Sequence, residues 1–338
     1  MHFVLTRDPA EFAVRTEPLL SGRIECNVLA TVLMNVLDGG HAAAVFAYGV
    51  GDGDEVRFAA LRTPPHPLIA SPLEGDATEL VELWLRADPG LDRVTSVPGT
   101  ARTIAAAWKE RTGGTAHRAL REAMHILDEV HDPPRPAPGE LRLADAADRS
   151  LLVGWMRDFI VETGISGATQ AGAMVDGRMR RDGLLVWDDE QPVSMVGVTP
   201  PVAGVVRIGP VYTPPPERRR GYAGSAVAAA SRRLLAEGAQ RCMLYTDLDN
   251  PTSNKIYAEV GYRRLGDWEE IVLEPAPDDG QESEKGRPSS IRSASSTASA
   301  TSPGRSAPDS RSESCTGDVG GITRISTWPR ACRLARIP

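Results

Sequence analysis

The sequence predicts an α/β (α+β) protein of two tandem, similarly ordered units, each a mixed, mostly antiparallel central sheet flanked by helices, with a disordered C-terminal tail. Three observations carry this. Apolar residues switch repeatedly between helical and strand spacing through residues 1–131, and do so again in the same order through 140–274. Asp132-Pro133-Pro134-Arg135-Pro136-Ala137-Pro138-Gly139 separates the two runs, and its prolines favour a stiff, extended linker. From about residue 275 the composition changes. Residues 281–314 hold twelve serines and few large apolar side chains, too little to offset chain entropy, so 275–338 reads as a Ser/Arg-rich disordered tail.

The chain has 338 residues, 41% apolar and 25% charged, enough to bury sizeable cores. No apolar run approaches the roughly 20 residues that a membrane span needs. The first eight residues lack the regions of a signal peptide, so a cytoplasmic protein with no membrane partner is expected. A net charge of −7 argues against nucleic acid, and Arg324, Arg330, Arg333 and Arg336 near the end are too sparse to form a basic face. Cys26, Cys242, Cys315 and Cys332 form no C-x-x-C pair and the six histidines are scattered, so no metal site is expected.

Taken in order, Asp8-Pro9-Ala10-Glu11 supplies an N-cap, an N1 proline and a capping-box glutamate that start a helix. A second helix includes Ile24, Val28, Thr31, Met34 and Val36. Residues 42–50 and 55–62 flank Gly51-Asp52-Gly53-Asp54, a hairpin signal. An apolar run at 67–70, a helix at 76–86, a strand at 93–97 and a helix from Pro98 through Trp108 follow. Residues 117–130 read as a strand, with a helix as the alternative because Ala119, Leu120, Ala123 and Leu127 also fit that spacing. The second unit repeats the order: a strand at 140–143, helices at 146–162 and 170–181, and a hairpin of 183–187 with 193–199.

The stretch that carries chemistry begins at residue 205. An apolar strand at 205–212 is broken by Thr213-Pro214-Pro215-Pro216; then Arg218-Arg219-Arg220-Gly221-Tyr222-Ala223-Gly224-Ser225 leads into a helix marked by Val227, Ala230 and Leu234. The first N–H groups of a helix lack partners within it, and its dipole leaves positive charge there, so this arrangement suits a pyrophosphate. The arginines add forked donors. Neither a P-loop nor a G-x-G-x-x-G fingerprint is present.

Farther on, Asn250-Pro251 reads as an N-cap with proline in the first turn, and Gly261 as the stop. Asn250, Asn254 and Tyr257, at i, i+4 and i+7, share one helical face, and Ile256 and Val260 share another. The Arg-x-x-Gly-x-Ala pattern of Arg218, Gly221 and Ala223 resembles the acyl-CoA loop of the GNAT N-acetyltransferase superfamily. The run from Asn250 through Tyr257 to Gly261-Tyr262 resembles the segment that places a tyrosine beside the CoA sulfur. The resemblance spans about residues 140–274, and the repeated order is similar to tandem two-domain members of this superfamily.

That resemblance implies acetyl-CoA as co-substrate, a small-molecule or peptide amine as acceptor, and transfer by direct attack. It places Arg218, Arg219, Arg220, Gly221, Tyr222, Ala223, Gly224 and Ser225 on the pyrophosphate. Pro210, Val211, Tyr212 and Thr213 fall on the pantetheine arm, Asn250 and Asn254 beside the cofactor, and Tyr257 at the sulfur as general acid. A tyrosine with a pKa near 10 is protonated at neutral pH and can give its proton to a thiolate. Residues 205–212 contain no carboxylate, so the base is open between Asp247 and Glu162. Tyr212, Trp155 and Phe159 are candidates to line the acceptor site, the last two also fitting a core role. In the first unit the corresponding loop is Ser71-Pro72-Leu73-Glu74-Gly75-Asp76, whose carboxylates repel phosphate, so that half is expected to be silent. The alternative to an enzyme is an acyl-CoA-binding regulatory module without turnover, and both a monomer and a homodimer are compatible with the sequence.

Overall fold

The computed structural model describes residues 1–39, 41, 43–165 and 168–276. The expected tail from residue 277, with Cys315 and Cys332, lies outside the described residues. The first half runs β1 (His2–Thr6), α1 (Pro9–Gly22), α2 (Asn27–Leu37), β2 (Val45–Val50), β3 (Val56–Arg62), β4 (Leu68–Ala70), α3 (Thr78–Ala87), β5 (Arg93–Ser96), α4 (Pro98–Thr112) and β6 (Thr115–Leu127). The second half repeats it: β7 (Glu140–Leu143), α5 (Arg149–Thr163), α6 (Ala171–Met179), β8 (Leu184–Asp188), β9 (Pro192–Val198), β10 (Val205–Tyr212), α7 (Tyr222–Ala236), β11 (Arg241–Asp247), α8 (Pro251–Val260) and β12 (Arg263–Glu274).

Most local signals act as expected. The Asp8 carboxylate accepts the N–H groups of Ala10 and Glu11, and Asn250 accepts that of Ser253. Glu11 does not close a capping box. Its carboxylate instead takes the hydroxyls of Thr6 and Tyr48, at 2.6 and 3.0 Å, and the Thr6 hydroxyl accepts the Asp8 N–H. The ambiguous segment is strand, starting earlier and ending sooner than the expected 117–130, over Thr115–Leu127, and its backbone groups are satisfied on both sides by neighbouring strands. Strand β1 is an addition, since five residues are too few for a periodic signal; it forms the sheet edge on β2.

The order of strands shows how the halves join. One sheet of twelve strands runs β1-β2-β3-β4-β5-β12-β6-β11-β10-β9-β8-β7. Each half ends in a single closing strand, and the two closing strands are exchanged: β12 of the second half pairs with β5 of the first, and β6 of the first pairs with β11 of the second. They also pair antiparallel with each other, from Arg263 opposite Ile126 to Glu274 opposite Thr115. An edge that would otherwise present free N–H and C=O groups is thereby covered in each half. We propose residues 132–139 as the boundary between the halves along the chain, although their sheets are continuous.

Four apolar clusters cover the sheet's faces. Trp84, Trp108 and Ile104 pack under α3 and α4, and Phe12, Phe46 and Leu33 under α1 and α2. Leu127, Val206, Ala226 and Leu244 lie under α7 and α8, and Trp155, Met156 and Met195 under α5 and α6. Ile271 of β12 belongs to the first cluster, Val202 and Trp268 to the second, and Leu127 of β6 to the third, so three cores are built from both halves. The proline linker is held too: Trp187 donates to the Pro138 carbonyl at 2.7 Å, and the Ala137 N–H donates to Ser225 Oγ at 2.8 Å.

Expressed alone, residues 140–276 would leave β11 and β12 without β6 between them. The expected outcome is an aggregating fragment with no cooperative unfolding transition, and a soluble complex when residues 1–131 are co-expressed; size-exclusion chromatography and circular dichroism read both.

Candidate functional site

Strands β10 and β11 run parallel and pair only at Val205–Arg241, Val206–Cys242 and Arg207–Met243. Beyond Arg207 they part: β10 stays with β9 through a register shift between Ile208 and Val211, while β11 stays with β6 as far as Asp247. The result is a wedge between two strands that opens toward the start of α7. Gly221 turns the chain into that helix at φ +87°, the left-handed region, and a Cβ there would stand 3.0 Å from the Arg135 carbonyl. The first helical bond is from the Ser225 N–H to the Gly221 carbonyl. Among the described residues, nothing accepts from the backbone N–H groups of Tyr222, Ala223 or Gly224. These donors at a helix start, beside an open wedge, fit a phosphate-bearing ligand.

The side chains of the predicted loop divide into two groups. Arg218 donates to the Thr213 carbonyl at 2.9 Å and forks onto Glu162 at 2.7 and 2.9 Å, lying over the Tyr212 ring. Tyr212 donates its hydroxyl to the same Glu162 carboxylate at 3.2 Å. Glu162 is therefore occupied in holding the loop against α5. Arg220 pairs with Glu217 at 2.9 Å, Tyr222 gives its hydroxyl to Asp189 at 2.6 Å, and Ser225 accepts from the linker. Arg219, exposed and with no ion pair among the described residues, is the arginine whose charge is uncommitted. Thr213 shares a 2.9 Å hydroxyl contact with Ser194, and Val211 lies on the wedge strand. Trp155 is buried with its ring 6.4 Å from that of Tyr212, and Phe159 packs against the same core.

Helix α8 positions the remaining candidates. Asn250 caps it, and Asn254 accepts from the Thr246 hydroxyl while donating to the carbonyls of Asp247 and Leu248, so it ties the end of β11 to the helix. Asp247 is exposed, its carboxylate accepting the Asp249 N–H at 2.9 Å in a turn. Tyr257, one turn beyond Asn254, stacks edge-on against Tyr262 at 6.0 Å. Its hydroxyl has no hydrogen-bond partner among the described residues, and desolvation pushes it up to about 12, above the value near 10 expected for a free tyrosine. In the first half, the start of α3 carries its own anion: Asp76 accepts the N–H and hydroxyl of Thr78, at 3.1 and 3.0 Å, which lowers its pKa.

A second cluster escaped the sequence reading. Residues paired across a sheet share a face, and alternate residues along a strand return to it. Arg207 opposite Met243, Tyr245 opposite Met124, and Asp247 and Trp268 opposite Glu122 therefore lie on one face of β10, β11, β6 and β12, the face that α2 covers. Arg207 donates to Thr31 of α2 at 3.0 Å, and Asn27 of α2 to the Val205 carbonyl at 3.4 Å. Burial, reinforced by the nearby Glu270 and Asp247 charges, pushes the Glu122 carboxyl up to about 7, against a smaller opposing pull from Arg207. Nothing in the sequence pattern points to Glu122, because it sits in the half expected to be silent and comes beside β11 only through the strand exchange. Among the described residues no group of three His, Cys, Asp or Glu side chains is placed to hold a metal ion, and no helix is long and apolar enough to cross a membrane.

Residues 154–262 match the model of the acetyltransferase (GNAT) family. The fold is also that of known two-unit proteins. A tandem GNAT protein from the clavulanic acid biosynthesis pathway is similar at 16% identity and TM-score 0.52, over 82% of this chain and 99% of its own. A GNAT-family acetyltransferase from Colwellia psychrerythraea is similar at 10% identity and TM-score 0.52, over 82% and 100%. A GCN5-related N-acetyltransferase from Sphaerobacter thermophilus follows at 19% identity and TM-score 0.50, over 80% and 95%. No curated protein sequence matches the chain.

Two outcomes are expected. Gly221→Ala forces a side chain into the left-handed region, costing about 1–2 kcal/mol; thermal unfolding reads this. For Glu122, the folded value of about 7 lies above the ordinary 4.5, so ionisation opposes folding. Its contribution is intact below pH 4.5 and is lost as pH rises through 7. Glu122→Gln should therefore stabilise the protein by about 3 kcal/mol at pH 8 and leave it unchanged at pH 4, measured by urea unfolding.

Proposed function

We propose that the chain is an acetyl-CoA-dependent N-acetyltransferase that moves an acetyl group from the CoA thioester to a primary amine by direct attack, with Tyr257 as general acid. The observation that carries this reading is the wedge of β10 and β11 opening onto the unpaired N–H groups of Tyr222, Ala223 and Gly224. Acetyl-CoA, when bound, supplies an activated acyl group on a thiol leaving group. The N–H groups of α7 and the Arg219 side chain would hold the diphosphate, and the segment from Pro210 to Thr213, where β10 has parted from β11, would lie along the pantetheine arm. Asn250 and Asn254 contribute by shaping the helix that presents Tyr257. One half would work in this way, because Asp76 already occupies the equivalent helix start in the other.

Proton handling follows from burial. The Tyr257 hydroxyl, up at about 12, stays protonated at neutral pH and is free to donate. A sulfur seated beside it is desolvated as well; the Cys242 thiol in the same core is likewise pushed up to about 12. Donor and acceptor then rise together, which keeps the transfer balanced. For the amine proton, the carboxylates of Asp247 and Glu162 are occupied in a turn and an ion pair, whereas Glu122 titrates near neutrality in a half-buried position. That supports Glu122 as the base and answers one of the two grounds for a binding module without turnover, the lack of a carboxylate on β10; the other, the silent first half, is untouched by it. A cytoplasmic setting and a monomer or homodimer belong to the same proposal.

Tyr257→Phe should lower kcat by about 10²–10³ with the Kd for acetyl-CoA unchanged. Thiol release against an amine panel and calorimetry read the two quantities. Unaltered turnover in the variant removes Tyr257 from the chemistry, and loss of acetyl-CoA binding in the triple variant of Arg218, Arg219 and Arg220 to alanine tests the loop.

A further inference from the structure

The cluster on the α2 face is electrostatically incomplete. Arg207 and Arg178 of α6 are both drawn in from solvent, and among the described residues neither makes an ion pair. Arg207 has the Thr31 hydroxyl at 3.0 Å and Arg178 the Met174 carbonyl at 3.4 Å. The two guanidinium groups repel one another, and desolvation brings Arg178 down to about 10. Removing charge from water without a counter-ion is costly. Beside them, the Tyr245 hydroxyl and the Asn27 Oδ1 are fully buried with no hydrogen-bond partner among the described residues. Glu122 lacks a donor among the described residues too, and it stands two residues beyond Met124, the neighbour of Tyr245 on β6.

Cations at one end, a carboxylate at the other, and the unused Tyr245 hydroxyl between them along the strand register describe the complement of a particular molecule. We propose that the acceptor is an amine that also carries a carboxylate or phosphate, its anion held by Arg207 and Arg178 and its nitrogen directed to Glu122. This rests on the N-acetyltransferase reading and adds the substrate class to it. Buried guanidinium groups recognise such anions with forked hydrogen bonds, and Tyr245 can donate to the same group. The step balances as follows. The ammonium gives one proton to Glu122, the freed lone pair forms the C–N bond as the C–S bond breaks, the sulfur takes the Tyr257 proton, which solvent replaces, and the second nitrogen proton and the one on Glu122 leave to solvent, a net release of one proton. The nearby arginines also favour the neutral amine.

The test pairs acceptors that differ only in the anion: phenylalanine with phenethylamine, 6-aminohexanoate with hexylamine, and phosphoethanolamine with ethanolamine. They are assayed by thiol release on the full chain, beside calorimetric titration with acetyl-CoA. The expected result is at least a ~10-fold higher kcat/KM for an anionic member over its partner. In Arg207→Met the KM for that member should rise ~10-fold or more with the acetyl-CoA KM unmoved. Arg178→Gln gives the same readout if Arg207→Met does not fold. Glu122→Gln should abolish the pH-rate limb near 7 that Glu122, under the influence of Asp247, Glu270 and Arg207, sets in the parent. Carboxylate and phosphate are distinguished by which pair shows the preference. If no anionic member outpaces its partner, absence of all turnover included, or if the arginine variants leave KM unchanged, the inference is overturned. Acetyl-CoA binding in the titration shows whether the transferase reading has failed with it.

Discussion

The antiparallel pairing of β6 with β12 holds the rest of the molecule in place. Neither strand completes its own half: β12 covers β5, β6 covers β11, and the long ladder between them closes a sheet that neither half finishes alone. Backbone groups at an unpaired edge are costly to bury and prone to wrong pairing in the open, so exchange of closing strands satisfies both halves at once. It also couples three of the four cores, since Ile271, Trp268 and Leu127 each pack on helices of the opposite half.

From the exchange follows an unequal division of work. Both halves place a helix start beside a short parallel strand pair, but the two starts carry opposite electrostatics. At α3 the Asp76 carboxylate takes the first donors, while at α7 the glycine turn at Gly221 leaves three N–H groups to an external anion. The first half contributes in another way. Its β6 lays Glu122 opposite Asp247 at the end of β11, one strand away from the wedge, and its α2 supplies Thr31 and Asn27 to the same sheet face.

Charge left without a partner distinguishes this space from the ordinary interior. Several buried or half-buried charges elsewhere are matched, as Arg62 is by Asp88 and Asp92, Arg142 by Asp148 and Asp188, and Glu269 by Arg102 and Arg118. Around Arg207, Arg178 and Glu122 the matching is missing, and stability is given up there in a manner typical of functional sites. The network of Arg218, Glu162 and Tyr212 lies on the opposite side of that contrast, fully paired and devoted to holding the loop.

The linear sequence by itself determined the local framework. The caps at Asp8 and Asn250, the hairpin turn at 51–54, the loop from Arg218 to Ser225 and the helix bearing Tyr257 rest on propensities and spacings within a few residues of one another. Those are legible because the physics acts over one or two turns of chain. The repeated order of elements likewise exposed the tandem plan and the acidic loop of the first half. Only the tertiary structure decided which strands close which half, that Glu162 and Asp247 are engaged elsewhere, and that Glu122 joins Arg207 and Tyr245. Residues 122, 207 and 245 meet through strand register across three neighbouring strands, and pairing between distant segments leaves no signature in the spacing of either one.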